Sequence, residues 1–168
     1  MAEDAQATRG AASYAEPDPV AAVHVARTFP APREQVFRAW TESDAVCQWF
    51  GGPLGSTESV EADVRVGGSY RITFKAPPTR RNVYLVGTFL EVEPPERLVY
   101  TFAWEKMPLL AFRMGDSKVT VQFREQGSGT EVRLTHELLD KQRLIAFHRI
   151  GWNSSLERLG KLLARQQS

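Results

Sequence analysis

Polar and apolar positions alternate along most of the chain, and the period of that alternation changes at a few clear places. VHVARTF, residues 23–29, alternates as a strand and stops at Pro30. APREQVFRAWTES then adopts a helical period, with Val36, Phe37 and Trp40 on one face and Pro32 where a first turn tolerates it. A second short helix is predicted over about 43–50, with Ser43 as its N-cap. After the GGPLG loop the period falls to two. SVEADVRV runs into Gly67-Gly68, a pair able to supply the positive φ angles of a tight hairpin. SYRITFKA, NVYLVGTFLEV, LVYTFAW, SKVTVQFRE and TEVRLTHEL follow as strands, separated by the turn stretches PPTRRN, EPPER and QGSG. The chain closes on a helix over about 141–165, whose apolar stripe is Ile145, His148, Trp152, Leu156, Leu159 and Leu163.

This order is one strand, two short helices, about six more strands and one long helix. An antiparallel sheet with one wet face needs a cover on the other. Only the last helix, roughly 35 Å for 24 residues, is long enough to provide it. The sheet must therefore curl around that helix, and one helix seldom fills the whole concavity. Residues 1–20, rich in Ala, Asp, Glu and Pro, cannot bury enough surface to offset chain entropy and are expected to be a disordered tail; 21–168 are expected to form one domain.

Composition narrows the partners. The chain has 168 residues, with 21 basic and 20 acidic side chains and a formal net charge of +1, so charge gives no reason to expect nucleic acid or an anionic membrane. Cys47 is the lone cysteine, which excludes an internal disulfide, and no apolar run is long enough to span a bilayer. With no signal-peptide pattern at its start, the chain is expected to be cytoplasmic. The histidines at 24, 136 and 148 have no metal-ligand spacing, Cys47 has apolar neighbours that would raise rather than lower its pKa, and no phosphate-cradling motif occurs. Neither metal nor cofactor is expected.

The segments RTFPAPREQVFRAWTESDAVCQWFGG, VRVGGSYRITF, GTFLEVEPPERLVYTFAW, VTVQF with GTEVRLTH, and GWNSSLERL resemble, in order and over roughly residues 22–164, the activator of heat-shock-chaperone ATPase homologue (AHSA-type) family. That family is a branch of the SRPBCC superfamily. The resemblance implies an α+β fold called helix-grip (START-like, birch-pollen-allergen-like). In it a curved antiparallel sheet of about six to seven strands wraps a long C-terminal helix, with two short helices after the first strand. Relatives of this kind include hydrophobic-ligand carriers, polyketide cyclases and aromatases, and domains of a chaperone activator. Two departures stand out: Phe50 replaces the second of a usual tryptophan pair with an extra glycine before Pro53, and residues 105–116 carry an unusually apolar loop, EKMPLLAFRMGD.

Candidate ligand contacts follow from the concave face. Tyr70, Ile72, Phe74, Phe102, Trp104 and Phe123 should look toward the long helix, as should Trp152. Trp49 and Phe50 either pack as core against the first helix or border a cavity mouth. His136 and His148 interrupt apolar faces, and each buried imidazole needs a partner, whether a neighbour, a water or a ligand group. Arg27 shares the phase of Val23 and Phe29, so an inward guanidinium would need a carboxylate or a ligand oxygen, and Arg27, His136 or His148 would then orient the ligand.

The leading expectation is binding of a small hydrophobic or aromatic molecule between the sheet and the C-terminal helix, without assigned catalysis. The alternatives are a protein-interaction module acting on a chaperone ATPase, and a cyclase-type enzyme drawing on Tyr70, Tyr100, His136 or His148. The apolar loop is open to three roles: a lid, a homodimer contact, or a patch for another protein.

Overall fold

The computed structural model describes residues 22–51, 55–107, 117–137 and 142–168. The proposed tail, the tip of the GGPLG loop and most of the apolar loop therefore lie outside the described residues. In chain order the elements are β1 (Ala22–Phe29), α1 (Arg33–Thr41), α2 (Ser43–Trp49), β2 (Ser56–Ala62), β3 (Ser69–Ala76), β4 (Arg81–Glu93), β5 (Arg97–Glu105), β6 (Ser117–Gln126), β7 (Gly129–Glu137) and α3 (Gln142–Gln166). The seven strands form one curved antiparallel sheet in the order β1-β7-β6-β5-β4-β3-β2, which with α3 is the helix-grip arrangement. β1 pairs with β7, so the first strand closes one side while β2 remains the other edge.

Local sequence accounts for most boundaries. Pro32 is the N-cap of α1 rather than its first helical residue, and its carbonyl accepts from Gln35 N and Val36 N. At α2 the cap is Glu42 and Ser43 is already helical, so the expected serine cap is corrected by one residue. The link from β2 to β3 also differs from a two-residue hairpin. The strand ends at Ala62, four residues short of the predicted end, and Asp63–Gly68 form a longer turn pinned to β4 through Gly67 N–Phe89 O and Phe89 N–Gly68 O at 2.8 and 2.9 Å. Gly67 takes φ +81, and a Cβ on Gly68 would stand 1.9 Å from Asp63 O, so both glycines are required.

The alternating strands direct Val83, Leu85 and Phe89 of β4, Leu98, Tyr100, Phe102 and Trp104 of β5, and Val119, Val121 and Phe123 of β6 inward. α3 supplies Trp152, Leu156, Leu159 and Leu163 to the same core and lies against β1 and α2. That position fills the β1 side of the concavity; α2 packs on β2 at the opposite edge, and α1 lies between α2 and the strands β6 and β7. Arg27 does not turn inward: it is exposed, with its guanidinium 5.8 Å over the Phe29 ring, because α3 packs against Phe29 and leaves the arginine at the margin beside Gly160. Among the described residues no helix is long and apolar enough to cross a membrane.

Candidate functional site

Trp49 and Phe50 are both buried, and they are core and cavity wall at once. The Trp49 ring lies 4.6 Å from Trp40, and its indole N–H donates to Ala39 O at 2.8 Å. Phe50, the C-cap of α2, contacts Trp49, Phe74 and Trp152 edge-on or tilted, with ring centroids 5.5–6.0 Å apart. Such aromatic pairs hold position through many weak contacts and preferred edge-to-face geometry.

Beside these rings is an apolar cavity of about 50 Å³. Its walls come from α1 (Trp40, Thr41), α2 and its cap (Val46, Trp49, Phe50), the β2 edge (Val60, Ala62) with Val64 beyond it, β3 (Tyr70, Ile72), β4 (Leu85, Phe89) and β5 (Tyr100, Phe102). Among the described residues none from α3 lines it. The larger void thus lies under the short helices rather than under the long one, because the leucines of α3 fill the space on their own side. A second, smaller void of about 20 Å³ does lie between α3 and β5, lined by Phe50, Gly51, Phe102, Trp104, Phe147, His148, Gly151, Trp152 and Ser155. Phe50 and Phe102 border both spaces.

Of the residues singled out from sequence, Trp49, Phe50, Tyr70, Ile72 and Phe102 border the first void, and Trp104, His148 and Trp152 the second. Phe74, Phe123 and His136 border neither. Phe74 packs on Phe50 and Trp104, and Phe123 on Phe37 and Trp40. Trp40 and Phe89 were not among the candidate wall residues, and Tyr100 was a candidate only as an acid–base group. Yet Trp40 was on the predicted apolar face of the first helix, and Tyr100 alternates in phase with Phe102. The signal was present and was assigned to packing.

One wall residue depends on a glycine. Tyr70 crosses over Gly87 of β4, where a Cβ would fall 2.0 Å from Thr101 O and 2.6 Å from the tyrosine ring. Its hydroxyl donates to Thr101 O at 2.6 Å, while Thr88 N donates to Thr101 Oγ1 at 2.9 Å. Side chains thus satisfy the β4–β5 ladder at this point. Burial, then the nearby Tyr100, pushes the Tyr70 pKa up.

The two buried histidines are each held by a tryptophan. Trp152 Nε1–H donates to His136 Nδ1 at 3.1 Å, which leaves the proton of that ring on Nε2, 2.7 Å from Ser117 Oγ; the serine hydroxyl in turn donates to Phe102 O at 2.8 Å. Trp104 Nε1–H donates to His148 Nε2 at 3.1 Å, and the other ring nitrogen, Nδ1, donates to Leu144 O at 2.8 Å. The imidazole centroids are 4.6 Å apart. Burial, then the repulsion a protonated His148 would exert, lowers the His136 pKa to about 2; burial also lowers that of His148, against the pull of the Leu144 carbonyl. Both rings are neutral, with opposite tautomers, and neither offers a free nitrogen for acid–base chemistry. The half-buried Cys47 thiol is similarly engaged, donating to Thr57 O at 3.6 Å. Among the described residues no group of His, Cys, Asp and Glu is placed to hold a metal ion.

The curved sheet and the gripped C-terminal helix define a helix-grip protein, and the family match places it in the AHSA-type branch of the SRPBCC superfamily. A family model described as activator of Hsp90 ATPase homolog 1-like protein matches residues 30–164, and the chain belongs to that family. Among solved structures it is similar to protein CV1439 from Chromobacterium violaceum, at 25% identity and a TM-score of 0.72, covering 84% of this chain and 96% of that one. It is also similar to the AHSA1 protein SPO3351 from Silicibacter pomeroyi, at 22% identity and a TM-score of 0.74, covering 87% and 99%. CalU16 from Micromonospora echinospora matches at 24% identity and a TM-score of 0.62, covering 87% and 78%. DynU16, a protein of the dynemicin biosynthetic locus, matches at 22% identity and a TM-score of 0.68, covering 87% of this chain and 48% of that one. No curated protein matches the chain.

Proposed function

We propose that the protein binds a small apolar molecule in the cavity between α1–α2 and the β2–β5 half of the sheet. One observation carries this reading: space persists inside an otherwise well-packed core, and seven of its wall residues are the aromatics Trp40, Trp49, Phe50, Tyr70, Phe89, Tyr100 and Phe102. Wall chemistry of that kind supports apolar ligands, with a few polar groups for orientation. At about 50 Å³ the cavity is several times the space one water needs, yet about a third of the roughly 150 Å³ that accommodates benzene in a dry protein cavity. A guest of one aromatic ring therefore requires the wall to yield. The β2 edge is the compliant side. It pairs only with β3, most of its residues are exposed, and its inward contribution is the half-buried Val60.

The four indole N–H groups make a direct assay. Titration with ethylbenzene should shift the Trp40 and Trp49 indole resonances of the ¹⁵N-labelled protein. Ala62→Trp, which adds a ring at an exposed wall position, should suppress those shifts while leaving the fold's far-UV spectrum intact. No shift in the unsubstituted protein at ligand saturation would end the reading.

The family description favours a second reading, a module acting on an Hsp90-type ATPase. An Hsp90 ATPase rate that is unchanged by added protein would count against it. The cyclase reading has less support, since both imidazoles are fully hydrogen-bonded.

A further inference from the structure

The cavity under α1 and α2 is walled by five side chains that carry a polar hydrogen, and four of those hydrogens are already committed. Trp49 Nε1–H goes to Ala39 O at 2.8 Å and Thr41 Oγ1–H to Phe37 O at 3.0 Å. Tyr70 Oη–H goes to Thr101 O at 2.6 Å, and Trp40 Nε1–H to Tyr100 Oη at 3.4 Å. The fifth belongs to Tyr100. Its oxygen accepts from Trp40, but among the described residues nothing accepts its proton. A buried hydroxyl that receives a hydrogen bond and gives none retains donor capacity, and a group that could take it gains a bond that water supplies in the unfolded chain.

We infer that Tyr100 is the polar anchor of the cavity, donating its hydroxyl proton to a single oxygen acceptor on an otherwise apolar, neutral guest, such as the carbonyl of an aryl ketone. This rests on the binding reading above and specifies its ligand class. Burial pushes the Tyr100 pKa up, against the opposing effect of the Trp40 N–H, so the phenol stays protonated and remains a donor. Among the described residues no Lys or Arg borders the cavity, so a carboxylate would be buried without a counter-charge and is disfavoured. A guest with several polar groups would leave all but one unpaired, which is disfavoured for the same reason.

The experiment compares acetophenone with ethylbenzene, which share a ring and a two-carbon substituent and differ by one carbonyl. Affinities are read from the Trp40 and Trp49 indole resonances, in the unsubstituted protein and in Tyr100→Phe. One net hydrogen bond corresponds to about a two- to tenfold preference for the ketone, and Tyr100→Phe should erase that preference while still binding ethylbenzene. In the unsubstituted protein the ketone alone should also move the Trp40 indole proton downfield, because a hydroxyl that donates becomes a better acceptor. This second readout holds even if Tyr100→Phe proves too unstable to study. Equal affinity for the two compounds, or a ketone preference that survives in Tyr100→Phe, overturns the anchor and leaves the cavity reading standing. Failure of both compounds to bind the unsubstituted protein ends both.

Discussion

His136 and His148 sit on neighbouring elements with their rings in contact, and the sequence marked both as interruptions of apolar faces that would need partners. What it did not contain was the identity of those partners, because Trp152 and Trp104 reach them from opposite directions: the indole on α3 serves the histidine on β7, and the indole on β5 serves the histidine on α3. The periodicity of either segment reports only which way its own side chains face. This crossed arrangement uses the one hydrogen-bonding group of each tryptophan to fix the tautomer of the opposite imidazole. Replacing Trp152 with Phe keeps most of the ring and removes the donor, leaving His136 Nδ1 buried without a partner. That variant should lose about 1–3 kcal/mol of stability by chemical denaturation, and a loss under about 0.5 kcal/mol would show that the bond contributes nothing net.

Element existence and order were legible because each strand alternates and each helix carries a stripe, signals set by backbone geometry itself. Boundaries governed by tertiary contacts were not. The Asp63–Gly68 turn extends beyond a simple hairpin because Gly67 and Gly68 bond to Phe89 of β4, a partner twenty residues away in sequence that no local pattern encodes. In α3 the predicted stripe is buried from His148 to Leu163, with Ile145 half-buried and Leu144 and Leu162 added to it, yet the helix contains a point of weakness. Gly151 lies in mid-helix, and a Cβ there would meet no atom within 4 Å. Packing does not demand the glycine, and its backbone freedom costs the helix. Gly151→Ala should raise stability by about 1 kcal/mol, visible as a higher melting temperature, and a lower one would reveal a steric need for the small residue.

Across the whole molecule, the neutral histidine pair couples stability to pH. An imidazole in the unfolded chain titrates near 6.5, whereas burial lowers both folded-state values, that of His136 to about 2. Below pH 6.5 the unfolded chain therefore takes up protons that the folded one refuses. Stability is at its full value above that pH and declines as acid is added, by up to about 1.4 kcal/mol per pH unit from His136, with His148 contributing in the same direction. Denaturation midpoints between pH 6.5 and 5, above the usual carboxylate range, isolate the effect; a flat profile there would mean that the rings are not held neutral. The location of the aromatic-walled cavity was the large-scale feature that the sequence could not convey, since it depends on how fully Leu156, Leu159 and Leu163 fill their side of the sheet. Phe50 and Phe102 stand as a common partition between the two chambers. A swing of either ring away from one chamber would carry it toward the other, so a guest accommodated on one side would be felt as compression on the other.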